Sequence, residues 1–302
     1  QIHATSEEED QLLAIVDGQK IFRSDRQAEL LQAKVPLKAG LRVLDFGCAK
    51  AATLKKLMKH AAIIPYVFDV SHHYQPFWEG YIPPENQAIH TIPDNWKSSM
   101  DVVCSFFCVE HVADPLAILA TKFSLLKPGG VLFFLIPNLA RNVADLLVLD
   151  HINHFSPCSL RYTLAKVGFA EIELDETAHP GWFVVRATRP VQAVMPPSLP
   201  DKEEVVAAPK ISVRIAQDWR RAGDAIAAYQ PPAGARIAVY GGGFYGGYIM
   251  TRLNPSVEIT CFIDQNLYLQ GRTHVGKPII APIDLPADIS HILVAINPAA
   301  AR

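Results

Sequence analysis

No Cys-x-x-C pair, no extended Lys/Arg run and no apolar stretch of membrane-spanning length occurs in this chain of 302 residues. The first absence, with five scattered cysteines (Cys48, Cys104, Cys108, Cys158 and Cys261), argues against a disulfide framework and against a structural zinc site. It points to a reduced, cytoplasmic setting, with Cys104 and Cys108 buried as small hydrophobes in an apolar run. The second absence, with a net charge of −2, argues against nucleic acid or an acidic membrane surface as the main partner. The third excludes a span of roughly 18 residues, and Gln1 to Asp10 lacks the charged-then-apolar order of a secretion signal. That opening is acidic and has no Met, so the chain is expected to begin after missing residues. Half the residues are hydrophobic, enough for one large core or two smaller ones.

What is present centres on residues 41–58. The apolar run Leu41 to Leu44 feeds the turn Asp45-Phe46-Gly47-Cys48-Ala49-Lys50-Ala51, and a helical pattern follows with Leu54, Leu57 and Met58 on one face. A strand that stops at such a turn and restarts as a helix leaves backbone N–H groups pointing outward, and small residues let a ligand come close. A second strand, Ile63 to Val70, ends in Asp69, placed in a βαβ unit to bind both hydroxyls of a ribose. A short strand, Ala88 to Thr91, precedes Asp94. A fourth, from Met100, runs into Glu110-His111-Val112, which stands at the start of a helix over Pro115 to Leu126. Leu125-Leu126-Lys127-Pro128-Gly129-Gly130 reads as a glycine capping turn before a fifth strand, Val131 to Asn138.

On those residues the sequence resembles the class I S-adenosylmethionine-dependent methyltransferases. It departs from their first motif at Ala49 and Ala51, where glycine is usual, and alanine tolerates a positive φ poorly. The resemblance implies an α/β, Rossmann-like methyltransferase domain with S-adenosylmethionine as cofactor and S-adenosylhomocysteine as product. It places Asp45, Phe46, Gly47, Cys48 and Lys50 around the methionine moiety. Asp69 and Val70 go to the ribose, and Ser105, Phe106 and Phe107 to the pocket wall. Residues 1 to 40 read as an acidic leader and a helix around Asp25 to Lys34. His72-His73 invites a metal reading, but adjacent side chains diverge and no third ligand lies at a persuasive spacing, so no metal is expected.

The stretch Asp150-His151-Ile152-Asn153-His154-Phe155-Ser156-Pro157 follows the fifth strand, with Ser156-Pro157 capping a helix over Leu160 to Val167. Its H-x-x-H-F-S pattern resembles the nucleotide-sugar C-methyltransferases of deoxysugar biosynthesis. That resemblance implies His151 as general base, with His154 and His111 as the other candidates, and a nucleotide-linked or glycan sugar as acceptor. Imidazole, titrating near neutrality, suits removal of a proton from a hydroxyl or an acidic C–H. In those enzymes a tyrosine precedes the base by three residues; Val148 stands there, so a partner for the base is absent or supplied from elsewhere. Their cysteine-rich zinc domain has no counterpart in residues 1 to 40.

Two strands, Ala170 to Leu174 and Gly181 to Thr188, complete a first domain over residues 1–190. Residues 191–233 form a Pro- and acid-rich linker and an amphipathic helix, roughly Ser212 to Tyr229. Residues 234–302 make a second, smaller Rossmann-like domain, expected to be truncated and to help hold the acceptor. Its Gly241-Gly242-Gly243-Phe244-Tyr245-Gly246 satisfies G-x-G-x-x-G, with Asp264 at about the distance of a ribose-binding acid. Three alternatives stay open. They are O- or N-methylation of a non-sugar small molecule, an NAD(P)-dependent enzyme using Gly241 to Gly246, and a non-catalytic cofactor-binding module. The oligomeric state is not legible.

Overall fold

The computed structural model describes residues 9–195 and 197–297; the acidic opening through residue 8 and Pro196 of the expected linker lie outside them. Two compact units divide between Ala208 and Pro209, inside the stretch 191–233 expected from composition to link them.

The first unit opens with a hairpin, β1 (Leu12–Val16) and β2 (Gln19–Phe22), where sequence reading gave only a leader. Asp17-Gly18 makes its two-residue turn, both with positive φ. Then come α1 (Arg23–Lys34), β3 (Arg42–Phe46), α2 (Ala52–His60), β4 (Ile64–Asp69), β5 (Gln87–Ile89), β6 (Met100–Phe106), α3 (Pro115–Leu125), β7 (Leu126–Pro137), α4 (Pro157–Val167), β8 (Ala170–Asp175) and β9 (Trp182–Thr188). The seven-stranded sheet has the order β5-β4-β3-β6-β7-β9-β8. Its first five strands are parallel, and β9 lies antiparallel to both β7 and β8.

Parallel strands must be covered on both faces, so their sequences read as near-continuous apolar runs. In β7, Leu132, Phe134 and Ile136 enter one core with Leu119 and Leu125 of α3 and Leu160 and Leu164 of α4. Phe133 and Leu135, the alternate residues, enter the other with Leu30 and Leu31 of α1 and Leu54 and Leu57 of α2. Strand order reverses between β3 and β6, and ligands of open α/β sheets bind beyond the carboxyl ends at such a reversal. Asp45, Asp69 and Ser105 all sit at those ends.

Three local expectations are corrected. Lys127 to Gly130 is not a helix cap: β7 already pairs at Leu126 with Met100 and resumes at Val131 opposite Val102. The intervening residues bulge, held by Gly129 N donating to the Arg189 carbonyl (2.7 Å) and Arg189 N to the Gly130 carbonyl (2.9 Å). Glu110 and His111 lie in a separate 3-10 turn, because Asp114 caps α3 by accepting from Ala117 N. The acidic part of the linker is the start of a helix, α5 (Lys202–Ala227), whose first turn carries Glu203 and Glu204. Asp201 accepts from Glu203 N at 2.9 Å, and acids at a helix N-terminus oppose its dipole. Among the described residues, no helix is long and apolar enough to cross a membrane.

The second unit contains β10 (Ile237–Tyr240), α6 (Phe244–Arg252), β11 (Ile259–Ile263), β12 (Thr273–His274), β13 (Lys277–Ile280) and β14 (His291–Val294), in the sheet order β12-β13-β11-β10-β14. Two of its motif glycines are explained by packing alone. A Cβ on Gly241 would meet the Ala295 carbonyl oxygen at 2.4 Å, and one on Gly246 the Gly241 oxygen at 2.1 Å, whereas Gly243 faces open space. Gly246→Ala is therefore expected to destabilise this unit by about 3 kcal/mol or more, read as an early transition in urea unfolding. Gly243→Ala should stay within about 0.5 kcal/mol; equal effects would refute the packing account.

Candidate functional site

Two clusters form beyond the strand ends of the first unit. The first is the loop after β3. Gly47 has φ +76°, and Ala49 and Ala51 have φ 46° and 55°. Both alanines thus hold the left-handed conformation glycine would take more easily, at roughly 1–2 kcal/mol each. The loop is pinned from several sides. Gly47 N donates to the Phe68 carbonyl (2.8 Å), Ala49 N to Asp69 Oδ2 (2.8 Å), and Trp78 Nε1 to the Ala49 carbonyl (2.7 Å). Asp69 Oδ1 accepts from Ser71 N at 2.9 Å. Each of its oxygens keeps a second lone pair for another donor.

Asp45 is 2 % exposed, and its Oδ1 is buried without a hydrogen-bond partner. Burial, followed by the nearby charge of Asp69, pushes its carboxyl up to about 8, against a smaller opposing pull from Lys122. Lys122 is wholly buried beneath the loop. Its Nζ donates to Ser105 Oγ (2.8 Å), which donates to the Phe46 carbonyl (2.8 Å). Ser105 therefore braces the ends of β3 and β6, its hydroxyl engaged below the loop. Cys48 is buried, and burial raises its thiol well above the ordinary value. Lys50 Nζ donates to the Glu9 carbonyl, and Val70 is 65 % exposed, so neither turns into the Asp45–Asp69 cluster.

The second cluster joins the three histidines. Asp145, 2 % exposed, receives His151 Nδ1 on Oδ1 at 2.6 Å and His154 Nδ1 on Oδ2 at 2.7 Å. It supplies the partner that Val148 withholds. The loop carrying both histidines docks on residues 109–112: Asn153 N donates to the Glu110 carbonyl (3.1 Å), Asn153 Nδ2 to the Val112 carbonyl (2.6 Å), and His111 Nδ1 to the Asp150 carbonyl (2.8 Å). The His111 and His151 rings meet edge-on, 4.7 Å between centroids. Burial works against a charged His151, but the hydrogen bond and charge of Asp145, aided by Glu110 and Asp150, outweigh it and raise its pKa. Glu110 is fully buried, and burial pushes its carboxyl up to about 7.

Between the clusters run Phe106 and Phe107. Phe107 has φ +55°, a backbone strain of the kind that collects at functional sites. Its ring lies 4.9 Å from Trp182 and 3.9 Å beneath the Arg23 guanidinium. Trp182 stacks on His179 at 3.5 Å, and burial, then Arg26 and Arg23, lowers His179 to about 4. Sequence reading missed Asp145, Glu110 as a buried acid, and Arg23. None of the three lies at a spacing that motif reading joins to its partners.

The sequence matches the family described as "Methyltransferase domain" over residues 21–174, just over half the chain. The chain belongs to this family. Its first unit is a class I S-adenosylmethionine-dependent methyltransferase domain, and the match ends within β8. Among curated relatives, a ubiquinone biosynthesis O-methyltransferase of Xanthomonas campestris pv. campestris (strain B100) is 31% identical over 111 residues, 35% of this chain and 46% of that protein. A protein of the same description from Coxiella burnetii (strain Dugway 5J108-111) is 30% identical over 110 residues, covering 34% and 46%. The chain thus spans about half the length of the curated relatives it matches. A solved S-adenosylmethionine-dependent methyltransferase from Mesorhizobium loti aligns with TM-score 0.45 at 19% identity, over 54% of this chain and 98% of that one.

The residues present fit the methyltransferase cofactor. An orphaned, buried carboxylate oxygen on Asp45 suits an ammonium group, and Asp69 retains acceptor capacity for hydroxyls. The backbone at Gly47 is too crowded for a side chain, since a Cβ there would meet Cys108 Sγ at 2.9 Å.

Proposed function

We propose that this chain is an S-adenosylmethionine-dependent methyltransferase that deprotonates its acceptor through the imidazoles anchored on Asp145. The observation carrying this reading is the bridging carboxylate, which accepts from Nδ1 of both His151 and His154. A neutral imidazole that donates through Nδ1 presents the Nε2 lone pair as base, and the carboxylate stabilises the cation formed on proton uptake. His151 is the first choice and His154 the second; His111, bound to a backbone carbonyl, is the third. The loop over residues 47–51 and the acids Asp45 and Asp69 bind and orient the cofactor, which when bound supplies an electrophilic methyl on sulfur. Alignment of the acceptor with that methyl supplies much of the rate. The second unit is assigned to holding the acceptor.

The acceptor we favour is a nucleotide-linked or glycan sugar, on the strength of the His151-to-Ser156 pattern. A hydroxyl on a non-sugar small molecule is the second reading, favoured by the O-methyltransferase name of the curated relatives. Calorimetric titration with S-adenosylhomocysteine, then a screen of nucleotide-sugars against hydroxylated non-sugar small molecules as methyl acceptors, tests both levels. Micromolar binding and methylation of a sugar are expected, with His151→Ala abolishing turnover and preserving cofactor affinity. A chain that binds no S-adenosylhomocysteine overturns the methyltransferase reading; methylation of the non-sugar molecules alone overturns the sugar.

A further inference from the structure

Glu110 is the anomaly of this site. It is 0 % exposed, and neither carboxylate oxygen has a hydrogen-bond partner. Arg23 is near enough to feel its charge yet donates to neither oxygen. A buried acid left this way costs free energy unless something else meets it. One donor atom each from Glu110, His111 and His151 lie within 4.8 Å of one another. Ligands around one cation, each about 2.0–2.2 Å from it, need only small side-chain rotations from that arrangement.

The outer contacts of the two histidines are those of metal ligands. His111 Nδ1 faces a carbonyl oxygen, which only accepts, so Nδ1 carries the proton and Nε2 the lone pair. His151 Nδ1 faces a carboxylate, with the same result. A histidine that donates one nitrogen to a carboxylate or carbonyl and turns the other to a cation is the recurring support of metal sites. The asparagine bonds from residue 153 hold the two histidine-bearing loops together.

We propose that Glu110, His111 and His151 bind a divalent first-row transition cation, Mn²⁺, Fe²⁺ or Zn²⁺. Two imidazoles and one carboxylate with remaining open positions select such ions over Mg²⁺ or Ca²⁺, which prefer all-oxygen sites. It runs against the expectation, drawn from sequence spacing, that no metal site would form. Glu110 and His111 are adjacent, and His151 is 40 residues away, a separation that motif reading does not join. The geometry stands apart from the methyl-transfer reading; the use of the cation rests on it. Coordination would acidify an acceptor hydroxyl; with the cation on His151 Nε2, proton uptake passes to His154 on the other oxygen of Asp145, and His151 is the base only in the cation-free chain.

The test is electron paramagnetic resonance of Mn²⁺ added to the EDTA-dialysed full chain, with S-adenosylhomocysteine titrated in parallel. One Mn²⁺ per chain is expected, displaced by Zn²⁺ and not by equal Mg²⁺. Binding should vanish in Glu110→Gln and in His111→Gln and persist in His60→Ala, an exposed histidine on α2. Asp145→Asn should weaken it by about 10–100-fold. Retained S-adenosylhomocysteine affinity certifies the fold of each variant, and His111→Gln decides the matter if Glu110→Gln loses it. Absence of Mn²⁺ binding, or equal binding by wild type and Glu110→Gln, with S-adenosylhomocysteine still bound, overturns the metal site alone. Mn²⁺ bound without S-adenosylhomocysteine leaves the metal site and overturns the methyltransferase reading.

Discussion

Asp145→Asn is expected to lower turnover by about 10²–10⁴-fold with S-adenosylhomocysteine affinity unchanged. The carboxylate offers an acceptor oxygen to each histidine, 2.6 Å from His151 and 2.7 Å from His154. Asparagine keeps the shape but has one acceptor oxygen and one donor NH₂. One imidazole must then turn its lone pair on Nδ1 to the new donor and carry its proton on Nε2, the wrong tautomer for a base. The change is visible without an acceptor: the ring-nitrogen shifts of one histidine should move from the Nδ1–H to the Nε2–H pattern. A variant that keeps both tautomers and full activity would remove Asp145 from the mechanism.

The second large effect concerns Asp45. In the ligand-free chain, burial and the neighbouring Asp69 keep this carboxyl protonated to about pH 8. A ligand ammonium needs the ionised form, so binding at pH 7 should release about one proton. Affinity should rise by up to about tenfold per pH unit toward pH 8 and level off above it. The sign for stability is the reverse. The folded state holds a proton that the unfolded chain loses near pH 4, so ligand-free stability falls as pH rises from about 4 to 8. Calorimetry at pH 7 in buffers of different ionisation enthalpy reads the proton count directly. Identical heats across buffers would sink the assignment, and Asp45→Asn should abolish the linkage along with much of the affinity.

The strands and the loop after β3 were legible because their signals are local. An apolar run ending in an acid and a small-residue turn is visible within about a dozen residues, and Asp45 and Asp69 emerge at β3 and β4 as expected. Departure from glycine at Ala49 and Ala51 did not disturb the loop, since both adopt the positive φ that the motif requires. Asp145 was hidden for the opposite reason. It lies in an irregular stretch, six and nine residues before its partners, where no helical or strand period says which side chains converge. Glu110 was expected at a helix start and lies instead in a separate 3-10 turn, buried, with the loop bearing Asn153 bonded to that turn. The bulge at Lys127 to Gly130 was misread because a glycine pair after a helix signals a cap equally well. Only the partner strand's register tells the two apart.

One hydrogen bond occurs in both units. Asp69 takes Ala49 N at 2.8 Å, and Asp264 takes Gly242 N at 2.8 Å. In each, the acid closing the second strand latches the turn after the first. A turn latched before any ligand arrives undergoes little reorganisation on encounter, so variation among bound molecules would appear chiefly in residence time rather than in association rate. The same latch makes each turn stiff under load: cutting it in Asp264→Ala would loosen a glycine loop whether or not that loop ever meets a nucleotide.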